Sequence, residues 1–323
     1  MKTSIPVSQI TALALLCITL CGCESGSGHD GGSAAKTDGS QKSFSGDYPI
    51  KVVCTTGMVA DLVRQVGGEH VKVVQLMRAD VDPHRYHATP SDVRELSSAD
   101  VIFYSGLHLE GKMADIFVRM ARKKPTYAVT EGIPEDRILE VSDGLYDPHL
   151  WFVVALWSEA VKVVNEALAE FDPKHAADYQ RQAERYRSEL LKLDQYCREK
   201  LAAIPTDRRV LVTAHDAFQY FGRAYDVEVK AIQGISTESE AGVREVNQLV
   251  DFLVERKIKA VFVETSVSPR NIESLIEGCE SRGHDVTKGG ELFSDAMGKP
   301  GAPEGTYVGM VRHNVDTIVA ALQ

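Results

Sequence analysis

Cysteine is scarce in this chain, with six in 323 residues and none in a CxxC pair. Cys17 and Cys21 fall in the first 21 residues, and Cys54, Cys197 and Cys279 are scattered far apart. Three isolated thiols suit buried packing better than a disulfide framework. Positive charge is also in deficit. Lys+Arg total 36 against Asp+Glu 46, a net charge of −10, which excludes a protein built to neutralise nucleic-acid phosphates. The chain has no apolar run near the roughly 20 residues that a bilayer-spanning helix needs. It contains neither an HExxH helix nor a Ser/His/Asp arrangement, so the familiar hydrolase signatures are missing. What remains is ordinary globular composition, 44% hydrophobic and 25% charged, in a chain long enough for roughly two domains.

The N-terminus reads as an address rather than as fold. Lys2 precedes Ile10–Leu20, an apolar run of 11 residues, the form of a signal-peptide h-region. It closes with Leu20-Cys21-Gly22-Cys23, which resembles the lipobox of bacterial lipoproteins, with Cys23 the acylated residue. An ordinary export signal cut nearby is the alternative. Residues 24–46 hold six Gly and six Ser with almost no apolar side chains, a composition that cannot bury enough surface to fold. Such a coil reaches roughly 25 Å and serves as a tether; His29, within it, is idle. The expected division is a signal at 1–22, a tether at 23–47, an N-terminal lobe at 48–170, a linker helix at 171–205 and a C-terminal lobe at 206–323.

Both lobes read as alternating short strands and helices, hence mostly parallel α/β sheets. The segment between them differs. Asp172-Pro173 has the form of a helix start, with a capping carboxylate and a proline in the first turn. Tyr179, Ala183, Tyr186, Leu190, Leu193, Cys197, Leu201 and Ile204 then recur at spacings of four and three, and Pro205 marks the stop. One amphipathic helix of about 30 residues, near 45 Å long, would make a rigid rod between two α/β lobes.

Histidines carry the chemistry. Asp82-Pro83-His84 returns as Asp147-Pro148-His149, which sets two imidazoles on loops stiffened by proline. His215 leaves an apolar strand in Thr213-Ala214-His215-Asp216, where residues at the carboxyl ends of parallel strands face the ligand crevice. Asp295 sits in a segment with glycines at both ends, Gly289-Gly290 and Gly298, read as a loop able to approach a ligand. Three imidazoles and one carboxylate suit a borderline divalent metal such as zinc, and would accept manganese or iron. Glu264, ending another strand, reads as a partner orienting an imidazole. His87 and His108 read as non-ligands near the cleft, and His70, His175, His284 and His313 as surface or packing residues. Asp92 and Asp216 read equally well as site residues or as helix caps.

At these residues the sequence resembles the TroA-like zinc/manganese substrate-binding lipoproteins of ABC importers. The resemblance runs from about Lys51 to the C-terminus and is strongest at 82–92, 147–151, 213–225, 233–240 and 289–311. It implies metal ligands at His84, His149, His215 and Asp295, and an ABC permease with its ATPase as partners. It further implies small lobe motions restrained by the long helix, and a monomer held by its lipid at the extracytoplasmic face of a bacterial envelope. Some manganese-preferring members carry glutamate at the third ligand position, where this chain has His215. Many zinc-specific members insert a His-rich acidic loop before the second ligand, whereas Glu140–Asp147 is short and has no histidine. A metal-dependent hydrolase and a surface adhesin are the competing functions. Four ligands leave no open position for catalytic water, and an adhesin has only the lipid anchor in its favour. Imidazoles of ordinary pKa, near 6.5, would let protons compete with metal below about pH 6.5.

Overall fold

The computed structural model describes residues 43–142 and 144–323. The signal, Cys23, His29 and nearly all of the tether lie outside the described residues. The first lobe opens with β1 (Ile50–Cys54), α1 (Gly57–Gly67) and β2 (Val71–Gln75), followed by α2 (Pro90–Ser98), β3 (Val101–Tyr104), α3 (Ala114–Ala121) and β4 (Thr126–Ala128). Its sheet is parallel throughout, in the order β2-β1-β3-β4. The central strands are near-continuous apolar runs because helices cover both faces. A small antiparallel hairpin, β5 (Glu140–Ser142) and β6 (Leu145–Tyr146), leads to α4 (Val154–Phe171).

The rod is α5 (Ala176–Ala202), 27 residues or about 40 Å. Every residue of the expected stripe is buried, Tyr179 to Leu201 inside the helix and Ile204 just beyond it. Its start differs from expectation. Pro173–His175 form a 3-10 turn, and Asp172 caps no backbone N–H with its side chain. Instead the Asp172 carboxylate accepts from Tyr48 Oη (2.8 Å), Tyr179 Oη (2.7 Å) and His175 Nδ1 (2.8 Å), tying the chain before β1 to the foot of the rod. Three side-chain donors in a partly buried corner outcompeted the local cap.

The second lobe contains β7 (Val210–His215), α6 (Gln219–Tyr225), β8 (Glu228–Gln233), α7 (Val243–Arg256), β9 (Ala260–Glu264), α8 (Arg270–Glu280), β10 (Thr287–Leu292) and α9 (Tyr307–Leu322). Its strands form two parallel pairs, β7–β8 and β9–β10, with β7 lying beside β9. Gly289 and Gly290 belong to β10 rather than to a loop. A side chain at Gly289 would collide with Phe262 and Ala321, and Gly290 has φ +148°, so glycine lets a strand run close beneath α9. Asp216 is not a cap either: α6 starts three residues later without a side-chain cap, and Asp216 accepts from Gln219 Nε2 at 2.7 Å. Asp92 does cap, as one half of a reciprocal box with Thr89 at the start of α2.

The main apolar core runs through α1, α4, α5 and α9 and reaches strands of both lobes, from Ile50 to Leu322, beside smaller apolar clusters within each lobe. Asp61 of α1 pins these helices together, accepting from Tyr186 Oη of α5 (3.3 Å) and from the Tyr307 N–H that opens α9 (3.1 Å). The described residues thus belong to one compact unit built as two α/β lobes on a shared helical spine. Cys54, Cys197 and Cys279 are all buried free thiols.

Candidate metal centre

Each of the four expected residues is delivered by a different segment. Prolines precede His84 and His149, and in each repeat the aspartate Oδ1 accepts the histidine's backbone N–H at 2.9 Å. His215 is the last residue of β7, and Asp295 comes three residues after β10 ends. The two lobes supply two side chains apiece, and their donor atoms all lie within 4.8 Å of one another. His149 and His215 are 0% exposed, Asp295 1% and His84 5%.

Distances inside the cluster match a common centre. His84 Nε2 is 3.3 Å from His149 Nε2, His149 Nε2 is 3.2 Å from Asp295 Oδ1, and His215 Nε2 is 3.1 Å from Asp295 Oδ2. Two donors each about 2.0–2.1 Å from a tetrahedral zinc stand about 3.3–3.4 Å apart. His215 Nε2 and both Asp295 oxygens are buried without a hydrogen bond of good geometry. Such orphaned polar atoms are costly unless they share a cation. The donor set therefore fits a divalent transition metal.

Carboxylates behind the rings fix which nitrogen is free. His149 Nδ1–H donates to Asp147 Oδ1 at 2.7 Å, and His215 Nδ1–H donates to Glu264 Oε2. Both rings then turn Nε2 inward. Glu264 Oε1 also accepts the His215 backbone N–H at 2.8 Å, so one carboxylate sets strand and ring together. The sequence reading assigns no role of their own to Asp147 and Trp151. Trp151 Nε1–H donates to the Ser294 carbonyl beside Asp295 (3.1 Å), and Tyr307 Oη–H donates to the Trp151 carbonyl (2.6 Å). The repeated Asp-Pro-His motif was a usable signal for Asp147; nothing local marked Trp151.

Electrostatics in the metal-free cage are not those of ordinary histidines. Burial alone would lower His149, but the Asp147 and Asp295 carboxylates raise it to about 9. Burial likewise opposes protonation of His215, yet Asp295 and Glu264 push it well above its ordinary value. Burial dominates at His84 and lowers it to about 4. Asp295, which burial would raise, is held well below the carboxylate range by His215 and His149. The window of proton competition therefore extends upward to about pH 9 rather than starting near 6.5, because paired carboxylates outweigh desolvation at two of the three rings.

The other described histidines stay outside the cluster. His87 is exposed and its Nδ1–H donates to the Arg85 carbonyl. His70 stacks on His175 with centroids 3.9 Å apart, at the foot of the rod. His284 and His313 pair with the carbonyls of Ile258 and Glu291. His108, at φ +63°, lines a cavity of about 480 Å³ with His84, Leu107, Tyr146, Ile235 and Glu238, and this cavity opens between the lobes.

The profile of the zinc-uptake complex component A (periplasmic) family, ZnuA, matches residues 52–321. The chain belongs to the zinc-uptake component A family. It is 48% identical over 288 residues to the manganese-binding lipoprotein MntA of Bacillus subtilis, covering 89% of this chain and 94% of that one. It is equally 48% identical, over 284 residues, to the zinc-binding protein TroA of Treponema pallidum, covering 88% and 92%. The solved structure of the Treponema pallidum TroA superposes with a TM-score of 0.83 over 84% of this chain and 99% of that one. The iron ABC transporter lipoprotein MtsA of Streptococcus pyogenes is 31% identical over 280 residues, covering 84% and 89%. As a member of the zinc-uptake component A family, the chain is the substrate-binding part of a metal ABC transporter and not an enzyme. None of the described helices is long and apolar enough to cross a membrane.

Proposed function

We propose that His84, His149, His215 and Asp295 capture one divalent transition metal, zinc or manganese, and that the monomeric chain carries it to an ABC permease and its ATPase. The observation behind this reading is the convergence of four buried donors from two lobes, with polar atoms left unpartnered. Relatives of equal identity are named for manganese and for zinc, so the cargo is decided by this chain's own donor set. Three imidazoles favour zinc, and iron is a further cargo by the same chemistry. Because the site is nearly sealed, unloading requires the permease to part the lobes or to draw away the Asp295 segment. Metal analysis of protein purified without added metal, followed by zinc–manganese competition, tests the reading. One metal per chain is expected, and a chain that takes up neither metal would overturn it.

Glu264 would orient His215 without touching the metal. Glu264→Gln should lower zinc affinity about 10- to 100-fold, the usual loss when a partner behind a ligand is removed, as measured by competition with a chromogenic chelator.

The same reading places the body a short way off the membrane, held through an acylated Cys23 and the Gly/Ser tether between signal and lobes. Mass spectrometry of the mature N-terminus should find a lipid on Cys23. An unacylated N-terminus at another residue would refute the anchor while leaving metal capture untouched.

A further inference from the structure

We propose that Thr237 is a positioning residue that latches the His84 loop to the opposite lobe, so that the segment 235–240 gates metal exchange. The inference rests on the metal-capture reading above and explains the block 233–240, which supplies no ligand.

That segment follows β8 between Gly234 and Gly242 and is folded against itself. Gln233 Nε2–H donates to the Ser239 carbonyl (3.1 Å), and the Glu238 N–H donates to Ser236 Oγ (3.3 Å). The resulting turn projects Thr237 into the first lobe, where it is 2% exposed and its Oγ1–H donates to Asp82 Oδ2 at 2.5 Å. The other oxygen of Asp82 accepts the His84 backbone N–H at 2.9 Å. One carboxylate thus holds the His84 backbone with one oxygen and the second lobe with the other.

The second Asp-Pro-His copy provides an internal comparison. Asp147 Oδ1 accepts both the backbone N–H and the ring Nδ1–H of His149, while its Oδ2 has no hydrogen-bond partner. Of the two copies, only that of His84 is clasped across the lobes through its aspartate carboxylate; the His149 copy meets the second lobe through the Asp147 carbonyl, which accepts from Tyr220 Oη at 3.1 Å. His84 is also the most exposed of the four and lines the cavity that opens between the lobes. It is therefore the donor best placed to move first. Beside Thr237, Glu238 pairs with Lys112 Nζ across the same opening, but both side chains are more than 40% exposed, so water screens this pair. The hydroxyl–carboxylate bond is partly buried, with the Thr237 side out of water, and charge-assisted, and is the stronger half of the latch.

Zinc transfer from the full chain to an excess of chelator, followed by stopped flow, tests the latch. Thr237→Val keeps the shape and loses the hydroxyl, so transfer should quicken about tenfold or more. The visible spectrum of the cobalt-loaded variant should stay that of the wild type, because no ligand has changed. Thr237→Ser keeps a hydroxyl and should restore slow transfer, and Lys112→Ala should matter less than Thr237→Val. The latch is overturned if Thr237→Val transfers zinc at the wild-type rate, or if Thr237→Ser is as fast as Thr237→Val. Should Thr237→Val not fold, Thr237→Ala against Thr237→Ser gives the same comparison. A wild-type chain that binds no zinc would remove the capture reading itself; a zinc-binding chain with an indifferent Thr237→Val removes the latch alone.

Discussion

His215→Ala is expected to weaken zinc binding by more than about 100-fold, beyond the usual loss from removing a partner behind a ligand. Manganese should suffer less, because imidazole contributes more to zinc, the later metal of the affinity series, than to harder manganese. The surroundings of the ring sharpen the companion experiment. His215→Glu alone would set a carboxylate against Glu264 and Asp295, which flank the imidazole on either side. Like charges so close would resist joint ionisation. The double variant His215→Glu/Glu264→Gln removes that conflict, and should shift preference toward manganese further than either change alone. Isothermal titration with both metals decides: equal losses for zinc and manganese in His215→Ala would contradict an imidazole ligand at this position.

Zinc binding is expected to expel at least one proton per metal near pH 7.5, because His149 keeps its proton up to about 9 in the metal-free cage. His215, also raised, adds to the release, whereas His84, lowered to about 4, contributes nothing at neutral pH. Metal needs each Nε2 lone pair, so every ring protonated beforehand must give its proton up. Apparent affinity should therefore climb by at least one decade per pH unit from about pH 7 toward 9. In the metal-free protein, a raised histidine stabilises the fold fully below its unfolded pKa near 6.5. That contribution fades as pH rises through about 9. The metal-free form thus loses stability over the interval in which metal gains affinity, and the zinc-induced rise in melting temperature should grow with pH. At metal 100-fold above the dissociation constant, the added stability is about 2.7 kcal/mol. Calorimetric titration in two buffers of different ionisation enthalpy reads the proton count directly. An affinity flat between about pH 7 and 9 would mean that the carboxylates do not keep the rings protonated.

Patterns with a short physical range were legible without coordinates. The stripe from Tyr179 to Leu201 needed only the helical repeat, and all seven of its helical members are buried. Proline before His84 and His149, and a strand end at His215, constrain one backbone each, so these three stood out as candidates in their own neighbourhoods, and the family resemblance joined them with Asp295 into one set. The tertiary structure decided everything that depends on two distant segments meeting. Asp172 was expected to cap a helix and instead gathers Tyr48, Tyr179 and His175, because only the folded chain brings Tyr48 to the rod. Gly289 and Gly290 carried the signature of a loop, but the close passage of α9 demands glycine within a strand. The two copies of Asp-Pro-His are alike in sequence, yet one aspartate orients a ring while the other clasps Thr237 from the far lobe. Above all, the raised affinity of His149 and His215 for protons was unreadable. It comes from Asp147, Glu264 and Asp295 facing buried rings, and the balance between desolvation and charge is set only when the lobes close the water out.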